Sequence, residues 1–281
     1  MDMFCGRIAH LASMHKKEAA IAPLLQEAFQ VQVVVPEGFN TDVFGTFTRE
    51  RKRPGSQYET ARMKIRELQK TSPYDLFIAS EGSFGIHPGY PFTPSNLELV
   101  HLVDSKQSLE ITGRALSVET NLLSKAVSSK AEIEEFLTQI GFPDHGIILR
   151  ISDRWSWAMV KDLHSTDEVI DRAQKWLRWP GVNRVYLETD MRAHRNPTRM
   201  KVIEQATMDL IQKMKSLCPI CNTPGFCESR YEGIALCRVC HRETLEKKYV
   251  VKDCQRCHHL ERISLHEDGA VPPSQCPSCN P

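Results

Sequence analysis

At 281 residues the chain exceeds the roughly 100–200 of a single domain, so a large domain with a smaller appendage is expected. With 41% hydrophobic and 25% charged residues, a wholly disordered, collagenous or coiled-coil protein is excluded. Lys plus Arg is 36 against Asp plus Glu 35, and a net charge of +1 provides no global field for nucleic acid or anionic lipid. The first residues lack the apolar run of a signal peptide, and no later stretch approaches the ~20 apolar residues of a membrane span. A soluble, cytoplasmic protein is therefore expected.

In chain order, strand-like and helix-like stretches alternate through residues 1–216, which points to a layered α/β domain. A strand at 8–12 precedes an amphipathic helix at 17–29 that carries Ile21, Leu24, Leu25 and Phe29 on one face and contains Pro23. A strand at 31–35, a helix at 58–70 and a short strand at 75–79 follow. Residues 97–103 and 109–116 alternate around a polar turn as a hairpin does, so the sheet is mixed and not purely parallel. Ile133, Phe136, Leu137 and Ile140 have helical spacing; 146–151 reads as a strand. Ser165 and Glu168 form a capping-box pattern before Val169, Ala173 and Trp176. A strand at 185–189 leads to Asn196 and Pro197, which launch a long helix that runs towards Cys218.

Three polar segments interrupt these elements. Residues 12–17, with Ser13 and Lys17, lie where a strand hands over to a helix, a ready anion site or a solvated turn. Residues 59–64 together with 80–85 place Glu81 after a buried-type strand, flanked by Ser80, Gly82 and Ser83. Such a carboxylate suits a metal ion carried by phosphates, or belongs to a glycine loop beside a helix-surface charge pair. Residues 188–196 crowd acids, two arginines and His194 at a strand-to-helix junction, either a binding cluster or a capping and salt-bridge knot.

Nine of the ten cysteines fall after residue 217, and eight form Cys-x-x-Cys pairs: Cys218/Cys221, Cys237/Cys240, Cys254/Cys257 and Cys276/Cys279. Taken in chain order they give two sets at zinc-ribbon spacing, the first pair with the second and the third with the fourth. Two structural zinc ions in residues 217–281 are expected, although four thiolates alone leave an iron–sulfur cluster open. Disulfides are disfavoured without a secretion signal. Cys227, His241, His258, His259 and His266 are left outside the ligand set. This region carries eight basic and eight acidic side chains, so two four-thiolate zinc centres would make it about −4, which weakens a general phosphate-binding role.

The strings FGTFT (44–48), ASEGSFG (79–85), ETDMR (188–192), NPTRM (196–200) and the terminal CPSCNP resemble an uncharacterised bacterial family whose members end in cysteine pairs, over nearly the whole chain. More remotely, residues 1–216 resemble the inosine/xanthosine triphosphate pyrophosphatases of the Maf/Ham-like superfamily. Ser13, His15 and Lys17 are similar to that family's Ser/Thr-x-Asn-x-x-Lys phosphate loop, with His for Asn and one residue fewer. Residues 59–64 resemble its Glu-Asn-Ala-x-x-Lys helix, 75–82 its Asp-x-x-Ala-Asp-Asp-Ser-Gly strand end, and Ala193-His194-Arg195 its purine clamp. The resemblance implies an inosine triphosphatase-like mixed sheet and Mg²⁺-dependent hydrolysis of a non-standard purine nucleoside triphosphate to monophosphate and pyrophosphate. It implies Ser13, Lys17 and Lys64 on the phosphates, Glu59 and Glu81 on magnesium with Glu81 orienting water, and His194 and Arg195 on the base. The contrary expectation is a non-catalytic protein that senses a nucleotide or docks a protein or RNA partner through its ribbons.

Overall fold

The aliphatic run β1 (Ile8–Ala12) lies between two parallel neighbours, β2 (Gln32–Val34) and β3 (Leu76–Ile86). The computed structural model describes residues 3–45, 53–152 and 158–281, so part of the FGTFT string, residues 46–48, lies outside the described residues. Helix α1 (Glu18–Phe29) connects β1 to β2, and its buried Ala20, Ile21, Leu25 and Phe29 confirm the expected apolar face. Pro23 lies in the second turn, inside the helix, and removes the bond its amide would make to Ala19. Helix α2 (Gln57–Gln69) packs Ala61, Ile65 and Leu68 onto Ala12, Phe77, Ala79 and Leu99 of this sheet.

β3 pairs antiparallel with β4 (Pro94–Asp104), and β4 with β5 (Leu109–Ser117), giving the order β2-β1-β3-β4-β5. The sheet is mixed. β3 is longer than its apolar run: pairing continues through Ser80↔Val100 and Gly82↔Glu98 to Ile86↔Pro94. The expected glycine loop at 80–85 is therefore strand, and Glu81 sits within β3, not at its end. Small residues there make room for a crossing side chain, because a Cβ on Gly82 would meet Glu98 Oε1 at 2.2 Å and Arg199 Nη2 at 2.5 Å.

A second, wholly antiparallel sheet has the order β6 (Ser124–Val127), β9 (Val185–Thr189), β7 (Ile147–Arg150) and β8 (Met159–Val160). Helices α3 (Lys130–Ile140) and α4 (Thr166–Leu177) pack onto it around Val127, Phe136, Leu149, Trp176 and Leu187. Ser165 caps α4 by accepting the Glu168 amide at 3.2 Å, but the Glu168 carboxylate takes the His164 amide rather than closing the box on Ser165.

Helix α5 (Pro197–Lys215) begins as its signals indicate, with Asn196 Oδ1 accepting the Arg199 amide at 2.9 Å. Its backbone lies against β5 at Gly113, where a Cβ would fall 2.1 Å from the Ala206 carbonyl oxygen. Two compact units result, Met1–Ile211 and Gln212–Pro281, dividing inside α5 rather than at 216/217. The second unit is a four-stranded sheet of order β12 (Leu260–Ser264), β11 (Glu243–Asp253), β10 (Cys227–Cys237) and β13 (Ala270–Val271). Among the described residues no helix is long and apolar enough to cross a membrane.

Candidate functional site

In the first unit a cavity of about 460 Å³ opens where the end of β1, the middle of β3, α2 and the start of α5 meet. Ser13, Lys17, Lys64 and Glu81, drawn from three separate stretches of chain, all line it. Arg53, Lys161, Arg192 and Arg199 complete a wall of six basic side chains facing, among the described residues, one lining carboxylate.

The ion pairing is uneven. Arg199, itself buried, reaches Glu98 on β4 at 2.7 Å and the Met191 carbonyl at 2.6 Å. Arg192 is neutralised by Asp190 at 2.6 Å and Asp162 at 2.7 Å. Glu81, 6% exposed, is paired with Lys64 and lies 3.5 Å from Arg53. Burial pushes its carboxyl up, but Lys64 and Lys17 outweigh burial and hold it below the usual carboxylate range. Lys17, 7% exposed, donates to the Ser80 carbonyl at 2.9 Å and lies 3.4 Å from Ser80 Oγ. Burial, then the Arg199 guanidinium, lowers it to about 7. The buried Ser13 Oγ has no partner among the described residues. The cleft thus has an excess of donors and suits an anion of several charges.

Other expected residues are placed elsewhere. Glu59 is exposed and does not line the cavity; its carboxylate accepts the Ser56 amide at 2.8 Å and Ser56 Oγ accepts the Glu59 amide at 3.2 Å, a complete capping box for α2. Arg195 donates to the Leu163 carbonyl at 2.7 Å and also stays off the cavity wall. His194 does not line the cavity either, but its ring stacks on His15, which does, at 5.3 Å and 18°. Arg192 was expected only as part of the 188–196 cluster, where its pairs with Asp190 and Asp162 fit the salt-bridge reading; Arg199 carried no expected role, though a signal existed, because it is a cation in the first turn of a helix, where the dipole disfavours it unless a carboxylate receives it. Among the described residues magnesium finds no built site: the one carboxylate that lines the cavity there is engaged by Lys64, so this donor set does not hold a resident ion.

In the second unit the eight thiols form two groups, Cys218, Cys221, Cys254 and Cys257, and Cys237, Cys240, Cys276 and Cys279. The chain-order pairing is corrected to an interleaved one, first with third and second with fourth. The hairpin causes it. Cys227 pairs with Asp253, so the turns before β10 and after β11 share one end, while β12 returns the chain to the other end and β13 joins β10 at Cys237. Eleven residues of strand, at about 3.4 Å each, keep the ends too far apart for the chain-order sets. Sγ atoms lie 3.6 Å apart in Cys218–Cys257, 3.5 Å in Cys221–Cys254, 3.8 Å in Cys237–Cys279 and 3.6 Å in Cys240–Cys276. Sulfurs about 2.3 Å from a tetrahedral zinc would be separated by about 3.8 Å, so each cluster is fitted to such an ion.

All four Cys-x-x-Cys turns share one bond, in which the amide after the second cysteine donates to the carbonyl of the first: Asn222 to Cys218, His241 to Cys237, His258 to Cys254 and Asn280 to Cys276. Asn222, His241 and His258 have φ of 56°, 56° and 59°, the left-handed region that Asn and His tolerate. The two histidines are turn residues, which accounts for their position beside the clusters without making them ligands. The Thr223 hydroxyl and amide bring the Cys221 thiol down to about 6, and the Cys240 and Val239 amides do the same for Cys237.

The chain belongs to the family described as "Domain of unknown function (DUF6671)", whose model matches residues 64–281. No curated protein matches the chain. Among solved structures, the crystal structure of protein VC0702 from Vibrio cholerae is similar at 13% identity over 73% of this chain and 93% of that one, with a TM-score of 0.32. That likeness is too loose to carry a fold or functional argument.

Proposed function

We propose that the first unit is a nucleoside triphosphate pyrophosphatase acting on non-standard purines, and that the second unit holds two structural zinc ions. The convergence of Ser13, Lys17, Lys64 and Glu81 on one cationic cavity supports the phosphate-binding half of this proposal. In use, Lys17, Lys64 and Arg53 receive phosphate oxygens, and Ser13 Oγ donates to one of them. As Lys64 turns to phosphate, Glu81 is released to orient the attacking water. The His15–His194 stack at the cavity wall offers a flat face to a purine. Magnesium, implied by the family resemblance, would arrive on the nucleotide and not on the protein. The experiment is a panel of nucleoside triphosphates, inosine and xanthosine forms included, assayed for pyrophosphate release with and without magnesium. Release that depends on Glu81 supports the enzyme; nucleotide binding with no turnover across the panel rejects it.

One observation favours a second role, docking of a protein partner. Ile220 and Val239 hold the same position in the first two Cys-x-x-Cys turns and are 68% and 64% exposed. Each is a separate apolar contact at its own end of the ribbon, which suits a partner protein that lies along the ribbon better than RNA, which the acidic metal-bound unit would repel. Ile220→Ser with Val239→Ser should leave the metal content intact and abolish co-purification of any partner.

A further inference from the structure

We propose that the cleft takes up a phosphate-bearing ligand together with one proton, and that Lys17 is the group that receives it. This rests on the phosphate-binding half of the proposal above and adds its proton linkage.

Lys17 is buried at the mouth of α1 and yet, among the described residues, has no carboxylate at ion-pair distance. Its bonds go to the Ser80 carbonyl and hydroxyl, which satisfy a donor without balancing a charge. The charged groups that face it come from four elements: Glu81 on β3, Lys64 on α2, Glu98 on β4 and Arg199 on α5. Both carboxylates are committed, Glu81 to Lys64 and Glu98 to Arg199. A buried ammonium beside a guanidinium and without a counter-ion is costly, and an amine meets that cost by losing its proton. The lowered value of about 7 agrees with this geometry. An anion in the cavity supplies the missing counter-charge and favours the ammonium again. The Ser13 Oγ, buried on the same wall and without a partner among the described residues, is a second donor short of an acceptor.

At pH 8 Lys17 is mostly neutral in the free protein, so ligand binding draws in a proton. At pH 6 Lys17 is already charged and uptake is close to zero. Affinity for a given ionic form of the ligand falls towards tenfold per pH unit above about 7. In the ligand-free protein the native pKa lies below the unfolded one, so the burden of burying Lys17 is greatest at low pH and eases as pH rises through 7 towards 10.5.

The test is calorimetric titration of the full-length protein with inorganic pyrophosphate, in buffers of differing ionisation enthalpy at pH 6 and pH 8. Wild type is expected to take up nearly one more proton per ligand at pH 8 than Lys17→Arg, which keeps the charge but does not titrate; the ligand's own protonation cancels in the difference. Equal uptake in both proteins overturns the proton linkage while leaving phosphate binding standing. No pyrophosphate binding at either pH overturns both. Should Lys17→Arg not fold, Lys17→Met serves through the free protein: it should raise Tm more at pH 6 than at pH 9, and an equal gain at both refutes a neutral Lys17.

Discussion

The two units solve opposite problems. The cleft is assembled from residues remote in sequence and held by a full apolar core. The cysteine unit has a sparse core, with Phe226 against Cys218 and Cys254 and little beyond Ala235, Val250, Val251 and Val271, so its shape depends on the groups that are also its chemistry. In one unit the fold makes the site; in the other the site makes the fold.

That contrast can be broken most sharply in the cysteine unit. Cys221→Ser and Cys257→Ser should each lower the zinc content from two to one, and the double variant should still hold one. Cys221→Ser with Cys240→Ser should hold none and unfold the unit, since zinc binding of about 10–16 kcal/mol is folding energy at such sites. Metal analysis by plasma mass spectrometry reads both, and chain-order pairing would reverse the two outcomes. In the cleft the effects are smaller and the fold should persist. Glu81→Gln leaves buried Lys64 without its partner, so the free protein should lose about 3 kcal/mol in denaturant melts and recover much of it with pyrophosphate. Because Glu81 is held below its usual range, its contribution exists at neutral pH and fades as pH falls through its folded value, so wild type and variant should converge in acid. Pyrophosphate release should fall by two or more orders of magnitude. Smallest is the capping box: Ser56→Ala should cost about 1 kcal/mol, and Glu59→Gln should lower Tm slightly while pyrophosphate binding stays unchanged. A loss of binding in Glu59→Gln would return that residue to the site.

Much of the first unit could be read from its sequence because helix signals are local. The Asn196-Pro197 start, the helix of Ile133 to Ile140 and the hairpin of β4 and β5 are each specified by neighbours within a few residues. β6, with four residues and only Val127 buried, carries too little pattern to announce itself. Residues 80–85 misled for a physical reason: glycine and serine read as a loop, yet here they are the small residues that let Glu98 and Arg199 cross over a strand. Glu59 misled because a capping carboxylate and a metal-binding one have the same composition and differ only in which way the helix end faces. The eight clustered cysteines were legible one by one from spacing, but their partners were not, because β-strand register decides which turns meet.

The interleaved clusters also act as a ruler. An ion in each cluster would clamp the β10–β11 hairpin at both ends, through loops that join residues 39 and 42 positions apart. A slip of one residue would carry Cys254 away from Cys221, so misalignment that a polar two-stranded ribbon would otherwise tolerate breaks up the first cluster, while the second stays tied to β10 through β13. The clusters overlap between Cys237 and Cys257, and no single cut leaves two whole centres on separate pieces. The two centres therefore belong to one unit that cannot be divided between fragments, and loss of one ion should loosen the ribbon at its own end, at the turn that carries Ile220 or at the turn that carries Val239.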